Sequence, residues 1–528
     1  MLSAVVVLFV AVMLFLLSIL GYWGWGWSFS WLGFVFRDYD FVFVVSDVSL
    51  VCEVMLLFCG SVALFYCFHY FGQGADAFFL YPLMAWFLGV MSILVMSGSV
   101  LLSLLMWEYL GLVSFFLILF YSNMASLRAS LITLFVSRFG DAALFMVVMW
   151  VSWWFGASSI LLGLLLFFIV LTKSACYPFI SWLLEAMRAP TPVSSLVHSS
   201  TLVAAGVWYL FCYGDMFSYG MLSVLFMLSL VTVLVSGFCA LVFNDLKKLV
   251  ALSTCNNVSW CILFYVCGSL DLALLQLITH GVCKCYLFMS IGDLMGLSGG
   301  SQSSVGVYLS RYVGRFSVYL QSILVISLSG LPFLGVFFSK HMLVGSVCYV
   351  YGWGYFGLMF LGFFLSYAYC VRLVLLLVKG LGGLSSGYSS SFIIISGLSV
   401  AGTLLNSCGM GVLEESAGLL VSYSFFVGMI QVLGCLGGFL FFVAGGEGVL
   451  FGPSTLSYSD SVVSGVYDFY LRLSAPAVVS FYRWEYYVFS LWPRLTSSFL
   501  LFRLSAFSFN SLVLFLLCFL FLYFLVGV

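Results

Sequence analysis

Apolar residues run through this chain in long uninterrupted blocks, with polar positions gathered into the short stretches between them. The blocks show no two-residue alternation of the kind a half-buried strand needs. They are too long for buried strands, which argues for helices. A helix needs about 20 apolar residues to cross a hydrocarbon core. That window predicts spans near 1–20, 47–71, 77–97, 99–121, 130–155, 157–180, 193–213, 219–243, 249–268, 270–296, 317–338, 355–379, 391–411, 418–445 and 509–527. The expected fold is therefore all-α, a polytopic transmembrane bundle of about fifteen helices. The first 20 residues lack a basic leader and a small-residue cleavage site, so they read as a retained span rather than a signal peptide. Trp23, Trp25, Trp27 and Trp31 follow directly, as an interfacial aromatic belt would.

Two spans carry helix breakers beside a basic residue. Pro178 follows Lys173 by five positions, and Gly330 and Pro332 precede Lys340. Proline inside a helix removes one backbone hydrogen bond and clashes with the preceding turn. At membrane depth the freed groups must be satisfied by protein or water. Both sites therefore predict discontinuous helices around polar pockets, in the paired arrangement of inverted-repeat transporters. The stretch 452–508 differs from the rest: Asp460, Asp468, Arg472, Arg483, Glu485, Arg494 and Arg503 are interleaved with aromatics. Such a pattern suits a helix lying in the interface or along neighbouring subunits, and a solvated loop is the alternative. The expected organisation is a membrane domain over 1–446, a lateral amphipathic segment over 447–508 and a terminal span over 509–528.

Composition sharpens this picture. Of 528 residues, 64% are hydrophobic and 7% charged, with a mean hydropathy of +1.24. Soluble domains carry about 25% charged residues, so a water-facing surface is out of reach. A net charge of −1 argues against nucleic acid as a partner. The sixteen cysteines lie inside apolar runs without a C-x-x-C pair, which marks them as small buried hydrophobes. No ligand set for a metal, haem or iron–sulfur cluster is visible, so no cofactor is expected in this chain.

Charge inside the spans is the informative exception. An ionised side chain at mid-bilayer costs roughly 2.5–3.5 kcal/mol on insertion scales. Glu108 sits in SVLLSLLMWEYLGLVSFFLILF, Lys173 in LLGLLLFFIVLTKSACYPF, His198 after APTPVSSLV, His280 and Lys284 in LLQLITHGVCKCYLF, and Lys340 with His341 closes GLPFLGVFFSKH. His280 and Lys284 are i and i+4, so they share one helix face; Arg138 and Asp141, i and i+3, can satisfy each other. Arg128, Lys247 and Lys248 fit span ends, while Glu53 and Asp271 fit either place. These residue types suit proton transfer. Burial raises a carboxyl pKa and lowers that of an amine. A Glu–Lys pair at about 4 Å and an effective dielectric of about 20 interacts by about 4 kcal/mol, about three pKa units. Separating the pair would release a proton and re-forming it would recapture one.

At these residues the sequence resembles the antiporter-like subunits of respiratory NADH:ubiquinone oxidoreductase, most closely the chain 5 group, over roughly 45–380. The most specific stretch is KSACYPFISWLLEAMRAPTPVSSLVHSSTLVAAGVWYL, from Lys173; WEYLGLVSFFLILFY, SRFGD, NDLKKLVALST, LITHGVCKCYLF and SLSGLPFLGVFFSK also match. The resemblance implies a coupling carboxylate at Glu108 with Lys173 as its partner. It places an R-x-G-D acid at Asp141, a relay histidine at His198, and later axis residues at His280, Lys284 and Lys340. It further implies that NADH, FMN, iron–sulfur clusters and ubiquinone sit in partner subunits. A neighbouring antiporter-like subunit and membrane lipids would be further partners. Gln276 stands where the family has a first histidine, His341 where an acid usually follows Lys340, Cys176 where it has Gln, and Leu184 where it has Pro. One fewer span precedes the common block, and the carboxyl end looks short. Abundant Phe and Gly with scarce Lys and Pro fit T- and G-rich codons, hence a mitochondrial origin and the inner membrane. A bacterial stand-alone cation/proton antiporter subunit in the plasma membrane, and a structural subunit with a relic polar axis, are the alternatives.

Overall fold

The computed structural model describes residues 27–31, 41–153 except Gln73, 160–298, 300–304, 309–310, 316–330, 335–350, 353–378, 382–383, 404, 421–443, 465, 468–469, 471–488 and 490. The predicted spans 1–20 and 509–527, nearly all of 391–411, and Pro332 lie outside the described residues. The chain divides into two units, Met1–Ser461 and Val462–Val528.

The first unit opens on a hairpin, β1 (Trp27–Trp31) antiparallel to β2 (Phe41–Val45), with Trp27 opposite Val45. Trp27 and Trp31 therefore lie in a strand rather than only marking an interface. Aromatic residues in both segments, with valines in the second, favour the extended backbone. Fifteen helices follow among the described residues. They are α1 (Asp47–Phe71), α2 (Ala75–Val95), α3 (Val100–Leu119), α4 (Met124–Trp153), α5 (Ile160–Lys173), α6 (Ser181–Ala186), α7 (Thr191–Leu196), α8 (Leu202–Tyr213), α9 (Tyr219–Val242), α10 (Leu246–Val266), α11 (Leu270–Leu297), α12 (Phe316–Ser329), α13 (Phe337–Val350), α14 (Trp353–Val378) and α15 (Val421–Val443). A two-residue parallel pair, Leu309–Ser310 with Gly382–Gly383, is the other extended element described. In the second unit, 471–488 is helical and largely exposed.

Ten helical stretches among the described residues are long and apolar enough to cross a membrane. Local sequence sets their ends. Ser46 and Ser49 form a capping box at the start of α1, each side chain taking the other's backbone N–H at 3.2 and 2.8 Å. Ser99 caps α3 through the Leu102 amide. Outward faces carry exposed Phe78, Phe79, Phe116, Phe135 and Phe145, an apolar exterior suited to lipid or to a like neighbour. The inward faces are packed by Leu, Val and aromatic side chains such as Trp107, Trp208 and Trp260, with glycines where helices approach closely. At Gly206 of α8 a Cβ would stand 2.8 Å from the Ser174 amide nitrogen, so only glycine lets α8 approach the end of α5 so closely.

Three helices depart from regular geometry. The predicted span 157–180 stops at Lys173, where Ala175 takes φ +53° and the Tyr177–Pro178 bond is cis. Trp182 Nε1 donates to the freed Thr172 carbonyl at 2.9 Å. The span near 193–213 contains a π-helical turn, Val197–Thr201, between α7 and α8. The hydroxyls of Ser199, Ser200 and Thr201 donate to the carbonyls of Ser195 and Leu196 around it. The span near 317–338 splits into α12 and α13, with Gly330 at φ +80° and Gly335 at φ +54°.

Candidate functional site

Helices α3, α4 and α5 assemble the first polar group. Glu108 pairs with Arg138; the two side chains are 39% and 46% exposed, so both stand on the outer face. Arg138 Nη1 also lies 3.6 Å from Asp141 Oδ2. Asp141 Oδ1 in turn lies 3.6 Å from Lys173 Nζ, and both of those side chains are buried. Glu108, Arg138, Asp141 and Lys173 thus form one chain of alternating charge running inward from the surface. This corrects the pairing expected of Lys173. Its direct partner is Asp141, because three residues along α4 carry Arg138 to the outer carboxylate and Asp141 to the inner amine. Gly111 of α3 faces the pair, its Cβ position 3.9 Å from both Asp141 Oδ2 and Lys173 Nζ, at ordinary van der Waals distance. Lys173 Nζ also sits 5.2 Å from the centre of the Trp107 ring. A small cavity lined by Ser114, Thr133, Ser137, Thr172 and Trp182 adjoins the lysine. At 3.6 Å the pair makes no close hydrogen bond, so both groups keep polar capacity for exchange.

His198 lies in the π-helical turn, fully buried, with no hydrogen-bond partner for either ring nitrogen. Its ring stands edge-on to Trp182 at 6.3 Å. Lys247, from the first turn of α10, lies within electrostatic reach of it. Sequence reading places Lys247 at a span end beside Lys248; the structure separates them. Lys248 pairs with Asp245 at 3.4 Å and is about a third exposed, whereas Lys247 is buried and donates to Ala189 O at 3.2 Å.

In mid-α11, His280 and Lys284 are both buried. Lys284 bonds the Ser253 hydroxyl of α10 and lies 3.5 Å from Val250 O. His280 Nε2 has no hydrogen-bond partner. Gln276, one turn earlier, accepts from Ser339 Oγ at 2.8 Å and ties α11 to α13. Lys340 of α13 reaches back into the second break, donating to Ser329 O at 2.7 Å and lying 3.3 Å from Ser366 Oγ. Tyr367 donates to Gly330 O at 3.2 Å, and Gln431 of α15 reaches the Tyr367 hydroxyl at 3.1 Å. The carbonyls freed by this break are thereby met from three helices. Cys370 of α14 lies within electrostatic reach of both Lys284 and Lys340. His341 is half-buried and packs its ring 4.2 Å from Phe337. Glu53 is buried with Oε2 unpartnered, while Asp271 is exposed in the first turn of α11. Neither environment is legible from an apolar block whose faces look alike.

Broken helices and several groups of buried titratable side chains within an apolar bundle define a class: multi-pass membrane proteins of antiporter type. Residues 97–368 match the family model described as NADH:quinone oxidoreductase/Mrp antiporter, transmembrane region, and the chain belongs to that family. NADH-ubiquinone oxidoreductase chain 5 of Locusta migratoria is 33% identical over 384 residues, covering 67% of this chain and 65% of the relative. The chain 5 proteins of Ascaris suum (32% identical, 65% of this chain and 64% of the relative) and Anopheles arabiensis (33%, 58% and 84%) are similar too. The chain thus spans somewhat under two-thirds of the Locusta and Ascaris proteins. The structure of the Mrp complex from Dietzia sp. DQ12-45-1b contains a chain of the same fold, with TM-score 0.70 and 22% identity over 88% of this chain and 56% of that one.

Proposed function

We propose that this chain is a proton-translocating membrane subunit of a respiratory NADH:ubiquinone oxidoreductase, working in the mitochondrial inner membrane. One observation carries the reading: Asp141, Lys173, His198, His280, Lys284 and Lys340 are all buried within helices of an apolar bundle. So many ionisable groups are costly to insert and mark a path for charge. In the proposed cycle Lys173 releases a proton when Asp141 moves away and regains one when the pair re-forms. Glu108 and Arg138 extend that pair to the outer face, where a neighbouring antiporter-like subunit would set the position of Asp141. Protons then pass by way of His198, His280 and Lys284 toward Lys340. Moving one charge against 100 mV takes about 2.3 kcal/mol, less than the roughly 4 kcal/mol available from a close pair at an effective dielectric near 20. NADH, FMN, iron–sulfur clusters and ubiquinone belong, in this reading, to other subunits.

The names of the chain 5 relatives support the oxidoreductase over the alternative, a subunit of a stand-alone cation/proton antiporter, which the Mrp fold neighbour keeps in view. Co-purification separates the two: the proposed subunit is isolated with flavin and iron–sulfur proteins. Lys173→Met and Glu108→Gln should each strongly reduce coupled proton transport and slow NADH oxidation in the assembled complex. Near-normal pumping in Lys173→Met would sink the reading.

A further inference from the structure

Asp141 does not stand alone on α4. Thr133, Ser137 and Asp141 are spaced i, i+4 and i+8, so they follow one another along one side of that helix. Ser137 Oγ and Asp141 Oδ2 reach the same spot beside α3. The Cβ position of Gly111 there lies 3.7 Å from the first, 3.9 Å from the second and 3.9 Å from Lys173 Nζ. Ser114 of α3 and Thr172 of α5 complete the polar wall of the cavity that adjoins the lysine. That cavity has room for about one water-sized group.

All four hydroxyls have already placed their protons. Ser114 donates to Gly111 O, Thr133 to Ser130 O and Ser137 to Leu134 O, each at 2.8 Å, and Thr172 donates to Phe168 O at 2.7 Å. A hydroxyl whose proton is committed can still accept on its lone pairs. The cavity is therefore lined by acceptors and complementary to a donor. Of the donors on its wall, Trp182 Nε1 is engaged by Thr172 O. That leaves Lys173 Nζ. The lysine is 1% exposed, stands 3.6 Å from Asp141 and has no hydrogen-bond partner among the described residues. An ammonium carries three N–H groups and no lone pair, so it needs acceptors alone.

We propose that Thr133 and Ser137, with Ser114 and Thr172, form an alternate seat for the Lys173 ammonium, taken up when the lysine parts from Asp141. The inference rests on the proton-translocating reading above and deepens its first step. The move carries the lysine head about one helical turn along α4, from a carboxylate to hydroxyls. It breaks no covalent bond and transfers no proton. An ammonium stranded among apolar side chains would draw the pair shut again, whereas in the seat it stays hydrogen-bonded. Neutral acceptors hold it less firmly than a carboxylate does, so the lysine can return. The separated state of the pair is thereby populated, and the four hydroxyls act as positioning residues for Lys173.

The test uses the assembled oxidoreductase in sealed membranes and combines Thr133→Val with Ser137→Ala, which removes two acceptors at little change of shape. With Asp141 in place the seat is empty, so the double variant should change Tm little. In an Asp141→Asn background Lys173 occupies the seat, and the same two substitutions should lower Tm by clearly more. Translocation with Asp141 in place should fall about tenfold, the scale of losing a hydrogen bond to a charged group. Using Thr133→Ser instead of Thr133→Val should recover much of that rate. An equal Tm change in both backgrounds would make the hydroxyls ordinary packing groups and overturn the seat. Normal translocation in the double variant, with Lys173→Met impaired, would overturn the seat and leave the proposed function standing. Normal translocation in Lys173→Met would instead overturn the proposed function. Should Asp141→Asn fail to assemble, Thr133→Val against Thr133→Ser decides, and equal rates overturn the seat.

Discussion

At the scale of single residues, the central finding is which side chains share a charge. Residue types and spacing make Arg138 and Asp141 a possible pair and Lys173 a buried cation. They do not reveal that Asp141 stands between the other two. That depends on the rotation of α4 against α3 and α5, and in a block that is apolar all round the hydrophobic pattern leaves rotation unspecified. The same ambiguity hides the difference between Lys247 and Lys248. Removing one partner of a buried ion pair costs about 3–5 kcal/mol, because the other is left uncompensated. Asp141→Asn should therefore lower the thermal stability of the assembled complex, and adding Lys173→Met should recover much of the loss. A double variant less stable than Asp141→Asn would mean that the two residues are not energetically paired. Lys340 is buried on a broken-helix carbonyl, whereas His341 packs half-buried on Phe337. Lys340→Ala should accordingly impair pumping more than His341→Ala, and the reverse order would transfer the role to His341.

At the scale of elements, both breaks are legible in the sequence. Proline or glycine interrupts the backbone ladder inside an apolar run, and the adjacent lysine needs a polar surrounding at the same depth. What satisfies the breaks is not legible. Trp182, Tyr367 and Gln431, which meet the freed carbonyls or the residues around them, come from other segments, and nothing local announces them. The π turn leaves one local trace, the hydroxyl run Ser199-Ser200-Thr201, which can bond back to released carbonyls but does so in ordinary helices too. Close approach of α8 to the first break depends on Gly206, since a Cβ there would stand 2.8 Å from Ser174 N and 3.0 Å from Val170 O. Backbone cannot step aside as a flexible side chain can. Gly206→Ala should destabilise the complex by about 1–3 kcal/mol, as overpacking does, read as a lowered Tm. An unchanged Tm would show that α8 can shift without loss.

At the scale of the whole chain, helix existence is the most legible property. The 47–71 block coincides with α1, and the spans around α9, α11 and α14 agree within two residues. Length and apolarity suffice for that, because in lipid a segment must satisfy its own backbone and the helix does so. The hairpin of Trp27–Trp31 with Phe41–Val45 is invisible to the same reading, since pairing between separate short segments leaves no mark in a hydropathy window. Family membership is legible as well, because the Lys173–Leu210 block combines several unusual choices in a fixed order. Outward aromatic faces, with the Glu108–Arg138 pair among them, mean that much of the surface is built to be covered.

The π turn has a consequence for alignment between distant parts. One additional residue in a helical turn advances everything downstream by about 100° relative to an unbroken α-helix of about 3.6 residues per turn. Tyr209, which meets Trp107 ring to ring at 5.6 Å, lies downstream of that offset, and Trp107 is the ring beneath Lys173. The turn therefore works as a phase-setter: how far the chain winds around His198 decides which side of α8 backs the Lys173 pocket. Deleting Ser200 should let the segment relax to ordinary winding, swing Tyr209 away and uncouple Lys173, even though no titratable group has been touched. Unimpaired pumping in that deletion would show that the winding is incidental.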